Sequence, residues 1–217
     1  ENTLDGKIKD KSVDDLIKAI TECKGSYGFL IGAGTSKPAG IPTSPELIED
    51  WQSEAYELKS PNKDKQKWVN YQEDNKMDSD QNRYGFWFEQ AYTTKEQRRN
   101  HVENEVIADA EPEFGHIVLA SMMSEEPGEQ YVPFALTPNF DNLLYDAFYH
   151  FIEERPKLVN HNALASEFIL TEDTPTLVKV HGDYLYQNVK NLGTETRSLE
   201  ENIKNRIVQA IGEFGLV

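Results

Sequence analysis

The sequence predicts an α/β fold of the Rossmann-like type, in which a parallel sheet carries helices on both faces. Three short apolar runs at 29–31, 132–136 and 176–180 indicate strands, and each leads directly into a polar turn. The runs do not alternate with polar residues, as is typical of strands buried on both faces. Helical patterns stand between them, and strands that alternate with helices favour a parallel sheet. The stretch from about 56 to 123 lacks a strand pattern and predicts an all-helical insertion.

The first helix is predicted from Ser12 to Cys23. The Ser12 hydroxyl can cap it, with Asp15 three residues later as the partner in a capping box, and Gly25 can end it. The buried face is indicated by an aliphatic stripe: Val13, Leu16, Ile17 and Ile20.

A second helix is predicted to begin at Ser44-Pro45-Glu46. This order supplies a capping hydroxyl, a proline in the first turn and an acid at the positive end of the helix dipole. The side chains expected to face inward are Leu47, Ile48, Trp51, Ala55 and Leu58.

The insertion begins with a polar stretch and continues with aromatic residues. Residues 59–82 predict an exposed linker or a loose helix pair, which Trp68 and Tyr71 could hold in place. The aromatic residues between 84 and 92 predict core, because an acidic chain is a poor stacking platform for nucleic acid.

The rest of the chain returns to the alternating pattern. A helix is predicted at 142–152 and another at about 199–211, followed by the start of a further strand. The chain begins at Glu1 and stops within an apolar run, so we expect one domain, 1–217, that is cut from a longer polypeptide at its C-terminus.

Composition narrows the function classes. The net charge of -16 over 217 residues argues against a nucleic-acid surface or an anionic membrane surface. The single cysteine, Cys23, excludes an internal disulfide and a multi-cysteine zinc site. We expect it to be a half-buried thiol in a reducing compartment. No apolar run is long enough to span a membrane, so a cytoplasmic location is the expectation.

The three polar turns are the candidate site. They read GAGTS at 32–36, TPNFD at 137–141 and HGD at 181–183. Ligands of open α/β sheets bind at the carboxyl ends of the strands, so turns that follow parallel strands should meet over one ligand. The glycines of the first turn allow close approach of a pyrophosphate to backbone N–H groups.

Simpler interpretations stay open for most of these residues. An ordinary strand-to-helix turn explains the glycine segment, since Lys37 stands where the dinucleotide fingerprint has its third glycine. Asn139 could satisfy its own turn, and Asp141 could cap the next helix. His181 follows a strand directly and could act as a base. The other histidines, His101, His116, His150 and His161, are predicted to be structural or exposed.

These motifs resemble the sirtuin superfamily. GAGTS followed by GIP at 40–42, then TPNFD and then VHG, is most similar to the sirtuin-like NAD-hydrolysing domains of bacterial anti-phage proteins. The resemblance implies that the pyrophosphate of NAD+ lies on Gly32, Ala33, Gly34, Thr35 and Ser36. It implies that Ile41, Pro42 and Asp141 lie near the nicotinamide, and that Asn139 and His181 are catalytic.

The resemblance also implies a function and partners. NAD+ would be the substrate, with no metal, and the products would be nicotinamide and ADP-ribose. The domain would be the toxic effector of an anti-phage defence system and would work as a homo-oligomer. Other domains of a larger polypeptide would sense a phage protein or a nucleic acid as the activator, with no membrane partner.

The sequence departs from the deacylating sirtuins in two respects. Thr43 and Ser44 follow GIP where those enzymes have an acid and an aromatic residue, and the four-cysteine zinc module is missing. Three alternatives remain: a protein deacylase or ADP-ribosyltransferase, a module that senses NAD+ or ADP-ribose without turnover, and a purely structural α/β domain.

Overall fold

The computed structural model describes residues 12–77, 83–124, 130–160, 164, 168, 174–180 and 201–217. Its strands are β1 Tyr27–Leu30, β2 Phe134–Thr137, β3 Lys157–Val159, β4 Thr176–Lys179 and β5 Gly215–Leu216. They form one parallel sheet in the order β3-β4-β2-β1-β5. The predicted α/β fold with a parallel sheet is confirmed, and β3 is a strand that the sequence did not predict.

Helices occupy most of the remaining described chain. They are α1 Val13–Glu22, α2 Ser44–Lys59, α3 Lys65–Lys76, α4 Arg83–Ala91, α5 Lys95–His101, α6 Phe114–Met123, α7 Leu143–Ala147 and α8 Glu201–Glu213. Two π-helical turns, Val102–Val106 and Phe148–Ile152, continue α5 and α7. None of the described helices is both long and apolar enough to cross a membrane.

The sheet is covered on both faces, as the apolar strands predict. Ala135 of β2 packs with buried residues of α6 and α7. Its neighbours Phe134 and Leu136 point the other way and pack with α8. The approach of β1 to β2 requires a glycine, because a Cβ on Gly28 would lie 2.2 Å from the Phe134 ring.

The helices between β1 and β2 have an aromatic core of their own. Trp51, Trp87 and Phe88 are fully buried. The Trp51 ring stacks on Phe88 with ring centroids 4.2 Å apart. The prediction that these aromatic residues are core is therefore confirmed, and we refer to helices α2–α5 as the aromatic layer.

Helix α1 has the predicted ends but not the predicted burial. Ser12 and Asp15 form the capping box. Ile20 is buried, whereas Val13 and Ile17 are exposed. The C-terminal end of the helix is anchored by the loop after it, where the Gly25 N–H donates to the Tyr131 carbonyl at 3.2 Å. The side chains of the first turns belong to none of the buried clusters of the described chain.

Helix α2 begins one residue earlier than predicted. Thr43, rather than Ser44, is the N-cap and forms a capping box with Glu46. Lys37 and Thr43 donate to the Glu46 carboxylate, and these hydrogen bonds lower its pKa to about 2. The prediction that Leu58 faces inward is wrong, since it is 72% exposed in the last turn of the helix, past the aromatic core.

Two further expectations need correction. Residues 65–76 form a regular helix, α3, that Trp68 anchors as predicted, but Tyr71 is 53% exposed and anchors nothing. Cys23 is exposed rather than half-buried, because it stands at the C-cap of α1 outside the packed interior.

Candidate functional site

The first two predicted turns begin side by side at the carboxyl edge of the sheet. Strands β1 and β2 are parallel neighbours, and the Ile31 N–H donates to the Leu136 carbonyl at 2.9 Å. Strand β1 lies between β2 and β5; the chain passes from β1 to β2, whereas it reaches β5 from β4. The carboxyl edge of the sheet is where ligands of open α/β sheets bind.

The hydroxyl of Ser36 joins the two turns. Asn139 Nδ2 donates to Ser36 Oγ at 3.0 Å. Ser36 Oγ in turn donates to Asp141 Oδ2 at 2.8 Å. Ser36 is 1% exposed, so both bonds are shielded from water. The structure therefore brings together three of the residues that the sequence assigned to the site, and we call them the Ser36 bridge.

The simpler interpretations of Asn139 and Asp141 do not account for their side chains. The Asn139 N–H donates to Thr137 Oγ1 at 3.0 Å, so Thr137 satisfies the turn while the Asn139 side chain reaches Ser36. Asn142, rather than Asp141, is the N-cap of α7. Asp141 Oδ1 accepts the Leu143 N–H at 3.2 Å at the start of that helix, and its other carboxylate oxygen binds Ser36.

The glycine turn leaves open space beside its backbone. Residues Ala33–Thr35 form one 3-10 turn, in which Thr35 Oγ1 donates to the Gly32 carbonyl at 2.7 Å. Gly32 has a φ of -109°, which any residue can adopt, so the backbone conformation at this position does not require glycine. A Cβ at Gly32 or Gly34 would meet nothing within 4 Å.

A pyrophosphate fits these features of the turn. The N–H groups of Ala33 and Gly34 have no acceptor within the 3-10 turn, because its bonds begin at Thr35 and Ser36. The missing Cβ atoms allow an anion to approach that backbone closely. The hydroxyl of Ser36 is the exception, since it is already engaged with Asn139 and Asp141.

Two of the three residues predicted near the nicotinamide, Ile41 and Pro42, have different surroundings. Gly40 adopts a φ of +87° and turns the chain into α2. Ile41 is buried in the aromatic layer. Pro42 is half-buried and lines a cavity of about 360 Å³ together with Leu47, His101 and Val106.

The third motif lies outside the described residues. His181 and its neighbours Gly182 and Asp183 belong to the segment 181–200. The strand before them is described: β4 is the neighbour of β2 on the side away from β1. The Val180 N–H donates to the Thr137 carbonyl at 2.9 Å. The chain therefore leaves β4 at the same edge as the Ser36 bridge.

Sequence reasoning missed Lys179, which is buried under the second turn. It is the last residue of β4 and is 1% exposed. Its Nζ donates to the Phe140 carbonyl and to Asn142 Oδ1, both at 2.8 Å. The signal in the sequence is the lysine itself, because it interrupts the apolar run TLVKV at 176–180, which predicts a strand.

His116 lies close enough to the bridge to interact with Asp141. It is buried in α6, and its Nδ1 accepts the Glu113 N–H at 3.2 Å, which assigns the proton to Nε2. Burial lowers the pKa of this imidazole, and the Asp141 carboxylate opposes that shift. The structural role predicted for His116 is consistent with these contacts.

A second polar cluster lies in the aromatic layer. Ligand atoms of Glu54, His101 and Glu105 all lie within 4.8 Å of one another. Trp51 Nε1 donates to His101 Nε2 at 3.0 Å, so the imidazole proton is on Nδ1, which faces Glu105 Oε2 at 3.1 Å. If Nδ1 bound a metal ion, the proton would move to Nε2 and face the indole N–H. His101 is therefore arranged as a hydrogen-bonded core residue, in agreement with the prediction.

No protein-family model matches this sequence, and no curated protein matches it either. Support for a function therefore comes from the motifs and from their geometry.

Proposed function

We propose that this protein hydrolyses NAD+ to nicotinamide and ADP-ribose. The observation that carries the proposal is the Ser36 bridge, in which the turns GAGTS and TPNFD are hydrogen-bonded to each other at the carboxyl edge of the sheet. A ligand at that edge would contact both turns at once. Two motifs of the sirtuin pattern thus meet where that pattern requires a dinucleotide.

The glycine turn would hold the pyrophosphate. The open space beside Gly32 and Gly34 and the N–H groups of Ala33 and Gly34 suit an anion. The exposed Thr35 hydroxyl would contribute only after giving up its hydrogen bond to the Gly32 carbonyl. Pro42 and Asp141 would then border the nicotinamide, with Ile41 supporting them from the core.

The chemistry needs few groups. Loss of nicotinamide breaks the N-glycosidic bond and develops oxocarbenium character at the ribose C1′. Nicotinamide leaves as a neutral molecule, so no general acid is required. Water then adds to C1′ and gives up a proton, so that NAD+ and water become ADP-ribose, nicotinamide and H+. Asn139 would position the water or a ribose hydroxyl, and His181 would accept the proton in its neutral form.

The biological role in the proposal follows from the toxicity of the reaction. An enzyme that consumes NAD+ without restraint would harm its own cell, so its activity has to await a trigger. We propose a cytoplasmic effector of anti-phage defence that works as a homo-oligomer within a longer polypeptide. The trigger, a phage protein or a nucleic acid, would be sensed by other domains.

The decisive measurement is NAD+ loss and nicotinamide release by the full-length protein, with and without an infecting phage. Asn139→Ala and His181→Ala should each lower the rate at least about 100-fold, which is the usual contribution of a positioned acid or base. Matched controls are Asn104→Ala and His150→Ala, both at exposed positions. Consumption of NAD+ at the parent rate by either site variant would remove that residue from the mechanism.

The same assay separates the alternatives. Nicotinamide release that requires an acylated peptide would indicate a deacylase, and transfer of ADP-ribose to protein would indicate a transferase. Binding of NAD+ without turnover, in the presence of the trigger, would indicate a sensor. We expect release of nicotinamide without any peptide.

A further inference from the structure

We propose that Lys179 is a positioning residue, which holds the turn 138–142 in the geometry that NAD+ hydrolysis requires. The catalytic part of this inference rests on the proposed function. Lys179 contacts the turn at two points, through the Phe140 carbonyl and Asn142 Oδ1. Phe140 and Asn142 precede and follow Asp141 in the chain. The ammonium group therefore fixes the part of the turn that carries the Asp141 carboxylate.

Burial of this lysine indicates a specific role. All four residues of β4 are buried, and Lys179 is among the largest fully buried side chains of the described chain. An apolar side chain would fill the same space without the cost of removing an ammonium group from water. Its two acceptors in the turn are neutral oxygens, so within the turn the lysine acts as a directional hydrogen-bond donor.

The contacts of Lys179 complete the fixation of the turn. Thr137 Oγ1 holds the Asn139 N–H from the β2 side, and Ser36 holds the side chains of Asn139 and Asp141 from the β1 side. Lys179 holds the same turn from β4. Three neighbouring strands therefore each contribute one anchor, and the β4 anchor stands two residues before His181.

Charge near the lysine supports a fixed ammonium position. Asp146 of α7 is half-buried, and burial raises the pKa of its carboxyl group while His150 and Lys179 lower it. Glu111 and Asp141 add to the rise. The Lys179 ammonium group therefore lies near the Asp146 carboxyl group of α7, in addition to its two oxygen partners in the turn.

The test measures the turn and the reaction separately. In Lys179→Met, amide hydrogen exchange over 139–143 should become about tenfold faster, as expected when buried hydrogen bonds of ordinary strength are lost. If the parent hydrolyses NAD+, kcat should fall about 100-fold, because small displacements of a positioning group have effects of that size, while KM stays within about threefold. Lys157→Met, at the far end of the neighbouring strand β3, is the matched control and should change neither quantity.

Asn142→Ala removes one acceptor and leaves the lysine in place. It should also make amide exchange over 139–143 faster and lower kcat, in both cases by smaller factors than Lys179→Met. If Lys179→Met does not fold, Asn142→Ala tests the role of the lysine in its place. Unchanged exchange over 139–143 would overturn the role of Lys179 whether or not the parent is active. Faster exchange with unchanged kcat would overturn its part in catalysis. A parent that leaves NAD+ intact in the presence of the trigger would instead contradict the proposed function.

Discussion

The sheet edge and the aromatic layer each contain a hydrogen-bonded polar network, but only the first adjoins a glycine turn at the carboxyl ends of the strands. At the sheet edge, Ser36 links Asn139 and Asp141. In the aromatic layer, His101 links Trp51 and Tyr92. The donor–acceptor distances are 2.8 and 3.0 Å in both networks, although the groups differ. A hydrogen-bonded polar cluster is therefore not enough to identify a site.

The difference lies in what surrounds each network. The Ser36 bridge adjoins a glycine turn whose missing Cβ atoms leave space beside the backbone. His101 instead stacks on Tyr92 with ring centroids 4.3 Å apart, and it also borders the cavity beside Pro42. The Ser36 bridge thus lies beside backbone N–H groups that can bind a further partner, whereas both ring nitrogens of His101 are engaged with neighbouring side chains.

The aromatic network should matter most for stability. Trp51→Ala should lower the free energy of unfolding by about 3–5 kcal/mol, because it removes a fully buried ring and leaves His101 Nε2 without its donor. Denaturant unfolding measures this effect. Leu58→Ala on the same helix is the control and should change little, since Leu58 is exposed. A loss below about 1 kcal/mol for Trp51→Ala would contradict the packing role.

The Ser36 bridge should matter less for stability and more for the reaction. Ser36→Ala should cost about 1–3 kcal/mol, since two half-buried polar side chains, one of them charged, lose their shared partner. NAD+ loss should fall together with that change, because the two turns are no longer tied. Ser44→Ala, at an exposed serine, is the matched control. If Ser36→Ala kept both its stability and its rate, the bridge would have no role in either.

The smallest effect should be a pH dependence from His116. Burial lowers the pKa of its imidazole in the folded state. The unfolded chain therefore binds more protons below its ordinary pKa near 6.5, and stability should fall as the pH drops through that value towards the lower folded pKa. In His116→Asn the amide oxygen can still accept the Glu113 N–H but does not titrate.

The free energy of unfolding, measured in urea, should therefore fall by more in the parent than in this variant when the pH is lowered from 7 to 5.5. Asp146 titrates in the opposite sense in both proteins, since burial raises its pKa, so the difference between them isolates His116. Equal pH profiles for the two proteins would show that His116 contributes nothing to acid sensitivity.

The sequence predicted the parts of this molecule that depend on local pattern. The apolar runs before the polar turns gave three strands of the parallel sheet, and parallel neighbours necessarily start their turns at one edge, so Asn139, Asp141 and Ser36 could be grouped. That grouping predicts that Asn139 and Ser36 lie close together. It does not predict the hydrogen bond between them, because the bond depends on rotamers and on side-chain packing.

Other features could not be read in this way. Lys179 looks like a strand residue until its two acceptors in the neighbouring turn are known. Leu58 and Val13 are exposed because the elements packed against their helices do not reach the helix ends where these residues lie. Helical periodicity carries no information about the length of a packing partner. Strand β3 has only three residues, too few for a pattern to show. His181 lies outside the described residues, so its placement stays a prediction.

Ser36 and Asp141 are 105 residues apart in the chain. A ribosome must therefore synthesise nearly two thirds of these 217 residues before the two side chains can meet, and further chain must emerge before β4 can close over them. Contacts between such distant positions form late, after the entropy of closing the loop has been overcome. A nascent or proteolysed fragment that stops short of β2 would lack the Ser36 bridge entirely and, under the proposed function, would leave NAD+ intact.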